Sequence, residues 1–336
     1  MSHFKYLTAG ESHGKALTAI IEGLPSGFNI DPDFINKELN RRQQGYGRSS
    51  RQQLESDVVE ITSGIKNGKT TGAPVCLVIY NKDFSEKPAF TKYRPGHADF
   101  AGSEKYNLED LRDVLERASA RKTAIEVAVG AVAKQILKDF EITCFSKILQ
   151  IGNATENFEA EIDQAKETGD SLGGKFEVIY KNLPVGLGSY VHWDRCLDGR
   201  IAQAVMSIGG IKVVEIGENP LGKTGSEYHD EIFIKDGKIY RNTNNAGGIE
   251  GGMTNGEDLV VRAVMKPIPT MIKPLKTVDK ATLEQCEAHF ERSDTCAVES
   301  CSVVAENRIA CVLLDEFLQK FGGDSLKEIK LNFDHK

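Results

Sequence analysis

The sequence lacks long apolar runs, paired cysteines and an excess of positive charge. No apolar run approaches the length of about 18 residues that a membrane-spanning helix needs, so we expect no membrane segment. The segment from Met1 to Lys5 has no apolar core of the kind found in secretory signals. The seven cysteines contain no C-x-x-C pair, which indicates reduced thiols that serve mainly in packing and gives no reason to predict a metal site. We therefore expect a cytoplasmic protein.

The charge balance excludes further classes of function. The formal net charge at pH 7 is -7, which argues against general binding to nucleic acid or to an acidic membrane surface. The sequence also lacks G-x-G-x-x-G followed by a helix, so a Rossmann dinucleotide site is not predicted. A polyanionic ligand would need arginines and lysines concentrated locally in an otherwise acidic chain.

Glycine, in contrast, is abundant, and two glycine series recur along the chain. The stretch from Gly64 to Gly72 reads G-I-x-x-G-x-T-x-G before an apolar strand, and the stretch from Gly248 to Gly256 reads the same before another. Shorter patterns from Leu24 to Gly27 and from Leu183 to Gly186 both read L-P-x-G. Because the matches keep the same order, they indicate an internal repeat rather than chance similarity between glycine-rich turns.

The repeat predicts one α+β domain made of two similar halves. With 336 residues and 40% apolar content, the chain can bury a sizeable core. Each half ends in a helix with a long apolar face, through Leu137 in the first and through Phe321 in the second. We predict a single domain over 1–336, with pseudo-equivalent halves at about 1–150 and 175–325 and a polar, acidic peripheral insertion or loop at about 153–174.

Shorter periodicities predict the remaining elements. Asp31 and Pro32 begin a helix, because an aspartate accepts hydrogen bonds at the N-cap and proline fits the first helical position. The other predicted elements are strands at Phe4–Ala9, Ala16–Ile21, Phe176–Tyr180 and Ile211–Ile216, a helix at Leu197–Ile208, and a hairpin or excursion within 218–240.

Two stretches are rich in arginine. Four arginines lie in the eleven residues from Arg41 to Arg51, spaced by glycines and hydroxyls, which suits a flexible lid over a polyanionic small molecule. A solvated basic loop is the alternative, and RNA binding is disfavoured because no aromatic residues alternate with the arginines. A second stretch, Arg94 to Thr123, combines arginines and hydroxyls with the titratable His97 at the start of an apolar helix. This second stretch has two interpretations: it forms half of an active site, or it is a surface loop before a helix.

Two further positions have alternative interpretations. The segment from Gly10 to Gly14 matches G-x-S-x-G, the nucleophile elbow of serine hydrolases, so Ser12 is a candidate nucleophile. The match is weak, because an elbow normally follows several strands and adjacent Ser12 and His13 side chains point apart in a tight turn. Asp294, beside Arg292 and before the last long helix, is either a helix N-cap or a proton carrier next to an arginine.

Together these segments resemble the signature segments of the chorismate synthase family. The resemblance rests on co-linear motifs that span nearly the whole chain. They are Gly10-Glu11-Ser12-His13-Gly14, Arg41 to Arg51, the Gly64 turn, Arg94-Pro95-Gly96-His97-Ala98-Asp99, Arg117-Ala118-Ser119-Ala120-Arg121, Asn245-Ala246-Gly247-Gly248 and Arg292-Ser293-Asp294. It implies the 1,4-anti elimination of phosphate from 5-enolpyruvylshikimate 3-phosphate, giving chorismate in the last step of the shikimate pathway. It also implies a requirement for reduced FMN, a β-α-β sandwich and a homotetramer.

The resemblance implies specific roles for individual residues. His97 would protonate the departing phosphate, His13 would lie against the flavin ring, and Asp294 would relay a proton near flavin N5. Arginines of the family that meet the substrate or a nicotinamide dinucleotide correspond to Arg42, Arg48, Arg51 and Arg94. The flavin contacts of the family correspond to Arg117, Ala118, Ser119, Gly209, Gly210, Gly251, Lys266, Pro267, Ile268, Pro269, Thr270 and Arg292.

The chain departs from the family pattern at a few places. Gly209 and Gly210 stand where a larger polar residue and alanine are usual, Val213 replaces a glycine, and Lys122 replaces a glutamate. The source of reduced flavin stays open between NADPH acting on the chain itself and an external flavin reductase, which the lack of a reductase domain favours. A serine hydrolase using Ser12 and a non-catalytic FMN- or polyanion-binding protein remain alternatives.

Overall fold

The computed structural model describes residues 3–48, 56–291 and 293–335. The first half contains strands β1 (Lys5–Ala9), β2 (Ala16–Glu22), β3 (Val59–Ser63), β4 (Ile65–Lys66), β5 (Lys69–Thr70) and β6 (Val75–Tyr80). Its helices are α1 (Pro32–Gln43), α2 (Asp99–Tyr106), α3 (Leu111–Ala118) and α4 (Thr123–Lys138), with a 3-10 turn at Ala120–Lys122 between α3 and α4.

The second half again contains both strands and helices, over a longer stretch of chain. Its strands are β7 (Thr143–Ile151), β8 (Gly174–Lys181), β9 (Ile211–Ile216), β10 (Ile232–Lys235), β11 (Lys238–Arg241), β12 (Ile249–Glu250), β13 (Met253–Thr254), β14 (Leu259–Met265), β15 (Lys276–Val278) and β16 (Gln285–Glu287). Its helices are α5 (Phe158–Glu167), α6 (Leu197–Met206), α7 (Gly225–Tyr228), α8 (Val298–Phe321) and α9 (Leu326–Asp334), with a 3-10 turn at Trp193–Arg195.

Two four-stranded antiparallel sheets enclose a layer of helices. The first sheet has the order β1-β2-β6-β3 and the second has the order β7-β8-β14-β9. Helix α4 packs on β2 and β6, helix α8 packs on β7 and β8, and the two helices pack against each other. The core-facing residues of β6 and β14 alternate with more exposed ones, as the two-residue period of a strand requires. The fold is therefore an α+β sandwich with helices at its centre.

The two glycine series occupy equivalent positions in the two halves. The hydroxyl of Thr70 donates a hydrogen bond of 2.6 Å to the carbonyl oxygen of Pro25. The hydroxyl of Thr254 donates a hydrogen bond of the same length to the carbonyl oxygen of Pro184. The two sheets also share one strand order along the chain. These equivalences support the proposed division into two halves within a single domain.

Most predicted elements are present, with one difference. Helix α1 begins as expected, with the Asp31 carboxylate accepting a hydrogen bond of 2.9 Å from Asp33 N. The hairpin predicted within 218–240 is formed by β10 and β11, which pair as antiparallel strands and extend to Arg241. The insertion at 153–174 is not simply a loop: it contains α5, whose Ile162 is fully buried against the core. Among the described residues, no helix has the length and apolar character needed to span a membrane.

A buried charge cluster joins three helices of the central layer. Lys134 of α4 lies 2.6 Å from Glu38 of α1 and 2.5 Å from Glu306 of α8. Arg41 of α1 adds a second cation at 2.8 Å from Glu306. Burial alone would raise the pKa of Glu306, but Lys134 and Arg41 outweigh burial and lower it to about 2. The cluster therefore holds α1, and with it the neighbouring Arg42, against α4 and α8.

The lowered pKa of Glu306 predicts a specific loss of stability in acid. A carboxylate with a depressed folded-state pKa stabilises the fold above its unfolded pKa, and this contribution is lost as the pH falls toward the folded pKa. We expect the difference in unfolding free energy between wild type and Glu306→Gln to narrow between about pH 4.5 and about pH 2. Urea unfolding at a series of pH values measures this difference. A constant difference across that range would contradict the expected ionisation of Glu306.

Candidate active site

The turn after β1 is held by a glutamate from the distant helix α3. The Glu116 carboxylate accepts a hydrogen bond of 2.7 Å from the backbone N of His13 and lies 2.8 Å from His13 Nδ1. The backbone N of Ser12 donates to the Glu116 carbonyl oxygen at 3.0 Å. The His13 and Glu116 side chains are only 10% and 14% exposed. The imidazole therefore has a fixed position at the edge of the core.

Ser12 does not have the environment of a hydrolase nucleophile. The residue is only 3% exposed, and its hydroxyl accepts a hydrogen bond of 3.2 Å from Ser119 Oγ. The Nδ1 atom of the neighbouring His13 lies against Glu116. A nucleophile elbow presents an accessible serine, which this turn does not do.

Arg117 holds the end of β1 in place. Its guanidinium donates to the Gly10 carbonyl oxygen at 2.8 Å and to both oxygens of Thr8 at 3.0 Å. The resemblance implies a flavin contact for this arginine, and the structure gives its guanidinium three acceptors within the protein. Ala118 is the exposed last residue of α3, and Ser119 caps the 3-10 turn by accepting from Arg121 N.

A second histidine is also paired with a carboxylate. His97 Nδ1 lies 2.6 Å from Asp99 Oδ1, and Asp99 is fully buried at the start of α2. Arg94 approaches both carboxylate oxygens of Asp99 at 2.8 Å, through Nε and Nη2. Burial would raise the pKa of Asp99, but the hydrogen bonds from Arg94 and His97 outweigh it and hold this pKa well below its usual range. Asp99 therefore orients both an arginine and an imidazole.

A turn from the second half completes this region. Lys266, which follows β14, donates through Nζ to the Gly96 carbonyl oxygen, and its backbone N donates to Gly210 O at 2.9 Å. Thr270 Oγ1 lies 3.4 Å from Arg94 Nη1. The Lys266–Thr270 turn, Gly210 and the loop around His97 are thus brought together. Burial and nearby Lys212 lower the pKa of Lys266.

Arg42 lies in a helix and is buried, which corrects its placement on a flexible lid. It belongs to α1 and is only 3% exposed. Its Nε donates to Thr123 Oγ1 at 2.9 Å, and its Nη1 lies 3.5 Å from Asp57. Burial, opposed by Asp57 but reinforced by nearby Arg121 and Arg48, lowers the pKa of Arg42 to about 10. A buried cation among other cations has an incomplete set of counter-charges, which an anionic ligand would supply.

Arg48 and Asp294 form an ion pair between the two halves. Arg48 Nη1 lies 2.9 Å from Asp294 Oδ2, with side chains only 10% and 14% exposed. The N-cap of α8 is Ala297, so the alternative interpretation of Asp294 as that N-cap is wrong. The structure therefore joins a predicted substrate arginine to the predicted proton carrier.

Two buried guanidinium nitrogens near Asp57 and Asp294 indicate whether an anionic ligand would fit here. Arg42 Nη1 and Arg48 Nε are buried and have no hydrogen-bond acceptor within the part of the chain that the structure describes. The Asp57 oxygen at 3.5 Å from Arg42 Nη1 attracts it electrostatically but is too far away for a good hydrogen bond. Buried donors without acceptors are costly unless a ligand satisfies them. The residues present therefore fit a phosphate or carboxylate ligand.

Two bridging side chains connect these groups. Asn81 donates to the Gly14 carbonyl oxygen at 2.7 Å and accepts from Arg121 Nε at 2.8 Å, which ties the His13 turn to the Arg42 region. The Phe90 ring has the guanidinium carbons of Arg112 and Arg94 within 5.0 and 5.6 Å of its centre. Arg112 Nη1 in turn lies 3.8 Å from Glu116 Oε1. The two histidine–carboxylate pairs thus belong to one connected region.

The remaining predicted contacts have less definite positions. Arg51 and Arg292 lie outside the described residues. A Cβ atom at Gly209 or at Gly251 would meet no heavy atom within 4 Å, so both backbones border open space. Gly251 lies in the tight turn between β12 and β13, beside the start of α6.

The sequence alone does not indicate which residues hold the side chains of His13, Arg121 and His97 in place. Glu116 is 103 residues from His13, and Asn81 is 40 residues from Arg121. Asp57 pairs with Arg121 at 2.7 Å across 64 positions of the chain. Only Asp99 could be proposed as a partner from the sequence, because it follows His97 by two positions.

Comparison with known proteins points to one family. A family model described as chorismate synthase matches residues 4–318. A chorismate synthase from Thermoanaerobacter pseudethanolicus is 54% identical over 343 residues, covering 98% of this chain and 97% of the relative. One from Geobacter metallireducens is 47% identical over 385 residues, with the same coverage. A solved structure described as the crystal structure of chorismate synthase has a TM-score of 0.83 and 41% identity, covering 99% of this chain and 97% of that one.

Proposed function

The chain belongs to the chorismate synthase family, and from this premise we propose how its own residues perform the reaction of that family. The enzyme is a lyase that eliminates phosphate from 5-enolpyruvylshikimate 3-phosphate to give chorismate. Membership also implies a requirement for a reduced flavin. Our assignment of the site rests on one observation. Two imidazoles, each paired with a carboxylate, lie in the same region as buried guanidinium donors that lack acceptors among the described residues.

The flavin is proposed to be reduced FMN, with its phosphate and the anionic substrate sharing the positive charge of the site. Arg42 and Arg48 are proposed to bind the substrate, or NADPH where that acts as reductant, together with Arg94 and Arg51. The residues proposed to hold the flavin are Arg117, Ala118, Ser119, Gly209, Gly210, Gly251, Lys266, Pro267, Ile268, Pro269, Thr270 and Arg292. When bound, the reduced flavin supplies reducing equivalents that are restored by the end of a reaction with no net redox change.

The side chains of the chain provide proton transfer and counter-charge. His97, beside Arg94 and the Lys266 turn, is proposed to protonate the departing phosphate, whose negative charge the neighbouring cations stabilise. His13, fixed by Glu116, is proposed to face the flavin ring and to control protonation there. Asp294, held by Arg48, is proposed to move a proton near the flavin.

The proposed setting of the enzyme is the cytoplasm, as a homotetramer served by an external flavin reductase. Apolar side chains on the outer face of the first sheet support self-association, because Leu7, Ile20 and Tyr80 are 75%, 50% and 60% exposed. Analytical ultracentrifugation tests the tetramer, and a monomer at all concentrations would contradict it.

Variants of the two histidines test the proposed roles. Under anaerobic conditions with photoreduced FMN and 5-enolpyruvylshikimate 3-phosphate, wild type is expected to form chorismate and an equal amount of phosphate. His13→Ala and His97→Ala are each expected to slow turnover by about a hundredfold or more, as removal of a general acid or base does. Chorismate absorbance and released phosphate are the measurements.

His192 offers a matched control for these variants. Its Nδ1 also lies 2.6 Å from a carboxylate, that of Asp194, but its side chain is 57% exposed. His192→Ala should keep wild-type turnover. Full activity in both site variants would refute their proposed roles, and FMN binding by wild type without phosphate release would favour a non-catalytic flavin-binding protein.

A further inference from the structure

The Glu116 carboxylate contacts two nitrogens of His13, one in the backbone and one in the ring. One oxygen accepts from the His13 backbone N at 2.7 Å, and the other lies 2.8 Å from the ring Nδ1. A backbone N–H always donates, so the first oxygen is committed as an acceptor. The second oxygen faces a ring nitrogen that either donates or accepts, depending on the imidazole tautomer. The protonation of Glu116 therefore decides which tautomer the pair holds.

The surroundings of Glu116 keep it ionised at neutral pH. Burial alone would raise the pKa of Glu116, but the hydrogen bonds from His13 and the attraction of Arg112 outweigh burial and lower it. An ionised carboxylate accepts hydrogen bonds and donates none. The nitrogen at 2.8 Å must therefore carry the proton, which leaves Nε2 of a neutral imidazole as the free acceptor.

We propose that Glu116 is a positioning residue that holds His13 as the Nδ1-protonated tautomer and thereby directs Nε2 toward the bound ligands. The proposal deepens the proposed function, because it rests on His13 facing those ligands. Helix α3 gives Glu116 a rigid base, and its carbonyl oxygen also accepts from Ser12 N at 3.0 Å. The same residue thus fixes the backbone of the turn, the orientation of the ring and the site of its proton.

The neighbouring arginine keeps Glu116 from turning away. Arg112 lies one helical turn before Glu116 with its Nη1 at 3.8 Å from the carboxylate. Its Nη2 is anchored 2.7 Å from Glu291, and its Nε donates to Pro88 O at 3.2 Å. An anchored cation beside Glu116 favours the ionised form and limits its rotamers.

Glu116→Gln should switch the tautomer while preserving the shape of the site. A glutamine has one acceptor oxygen and one donor NH2 group, whereas His13 presents one obligatory donor and one adaptable nitrogen. The amide oxygen should accept from the backbone N, because the NH2 group facing that N–H would bring two donors together. The NH2 group then donates to Nδ1, which forces the proton onto Nε2. A comparable acid-to-amide change beside the histidine of a serine protease triad gives the wrong tautomer and lowers turnover by about 10⁴-fold.

Solid-state NMR of protein labelled with ¹⁵N at histidine tests this directly at alkaline pH, without flavin or substrate. Protonated and unprotonated ring nitrogens give separate signals, and His13→Ala and His97→Ala spectra assign them. We expect His13 to be Nδ1-protonated in wild type and Nε2-protonated in Glu116→Gln. His97 should show the same tautomer in both proteins, because the substitution changes neither Asp99 nor Arg94, which lie 2.6 and 2.8 Å from its Nδ1. Glu109→Gln, an exposed change just before α3, should leave both rings unchanged.

Turnover supplies the second readout. Glu116→Gln should lower kcat by roughly 10²- to 10⁴-fold, whereas Glu109→Gln should not change it. The proposal is overturned if His13 keeps its wild-type tautomer in Glu116→Gln, or if the tautomer switches and turnover does not fall. Failure of the proposed function itself has a different signature, since wild type would then form no chorismate whatever the state of His13.

Discussion

Gly130→Ala is expected to lower the free energy of unfolding by about 3 kcal/mol or more, at or beyond the upper end of the range for overpacked cores. Gly130 lies in α4 where this helix packs against α8. A Cβ atom there would lie 2.3 Å from Asn307 Cβ, 2.4 Å from its carbonyl oxygen and 2.6 Å from its Cα. Two of these atoms belong to the backbone, so rotation of a side chain cannot relieve the overlap. The two central helices would have to move apart.

Gly199→Ala provides the matched control. Gly199 also lies within a helix, α6, but a Cβ atom there would meet only the Trp193 carbonyl oxygen, at 3.9 Å. Because alanine favours helix more than glycine does, this variant should be stabilised by up to about 1 kcal/mol. Urea unfolding followed by circular dichroism compares the two. Equal effects of the two substitutions would mean that the helix contact at Gly130 is not as close as described.

Lys134→Met is expected to lower the free energy of unfolding by about 3 to 5 kcal/mol, because it leaves two buried carboxylates without their shared cation. Lys134 Nζ lies 2.6 Å from Glu38 and 2.5 Å from Glu306, and all three side chains are at most 7% exposed. Methionine fills a similar volume, so the loss of stability would result from the missing charge rather than from a cavity. Arg41 remains near both carboxylates and should moderate the loss.

An ion pair with an exposed lysine serves as the comparison for Lys134. Lys147 on β7 lies 2.8 Å from Glu177, but the lysine side chain is 54% exposed. Lys147→Met should cost at most about 1 kcal/mol, because solvent screens the exposed lysine and buried Glu177 keeps Arg262 at 2.6 Å. Thermal and urea unfolding of both variants measure the contrast. A Lys134→Met protein as stable as Lys147→Met would show that the buried cluster contributes little.

Much of the fold could be predicted because its causes are local. The apolar face through Leu137 predicts a helix packed on the core, and α4 is that helix, although 14 of its 16 residues are buried rather than one face alone. Asp31 and Pro32 begin α1 where capping chemistry places its start. The matching glycine series predict two halves from the sequence alone, since each series needs the same tight turn before a strand. Helix α5, in contrast, is not indicated by the sequence, because its polar residues hide the single buried face around Ile162.

The sequence by itself determined most of the predicted elements, the family resemblance and the types of group available for chemistry, because these depend on residue identity and spacing along the chain. Tertiary structure alone decided which carboxylate orients His13, which cation faces Asp294, and that Arg42 is buried in a helix rather than carried on a lid. Hydrogen bonds and ion pairs act over a few ångströms, whereas Glu116 lies 103 positions from His13. Only packing of the helices between the two sheets brings such distant positions within that range.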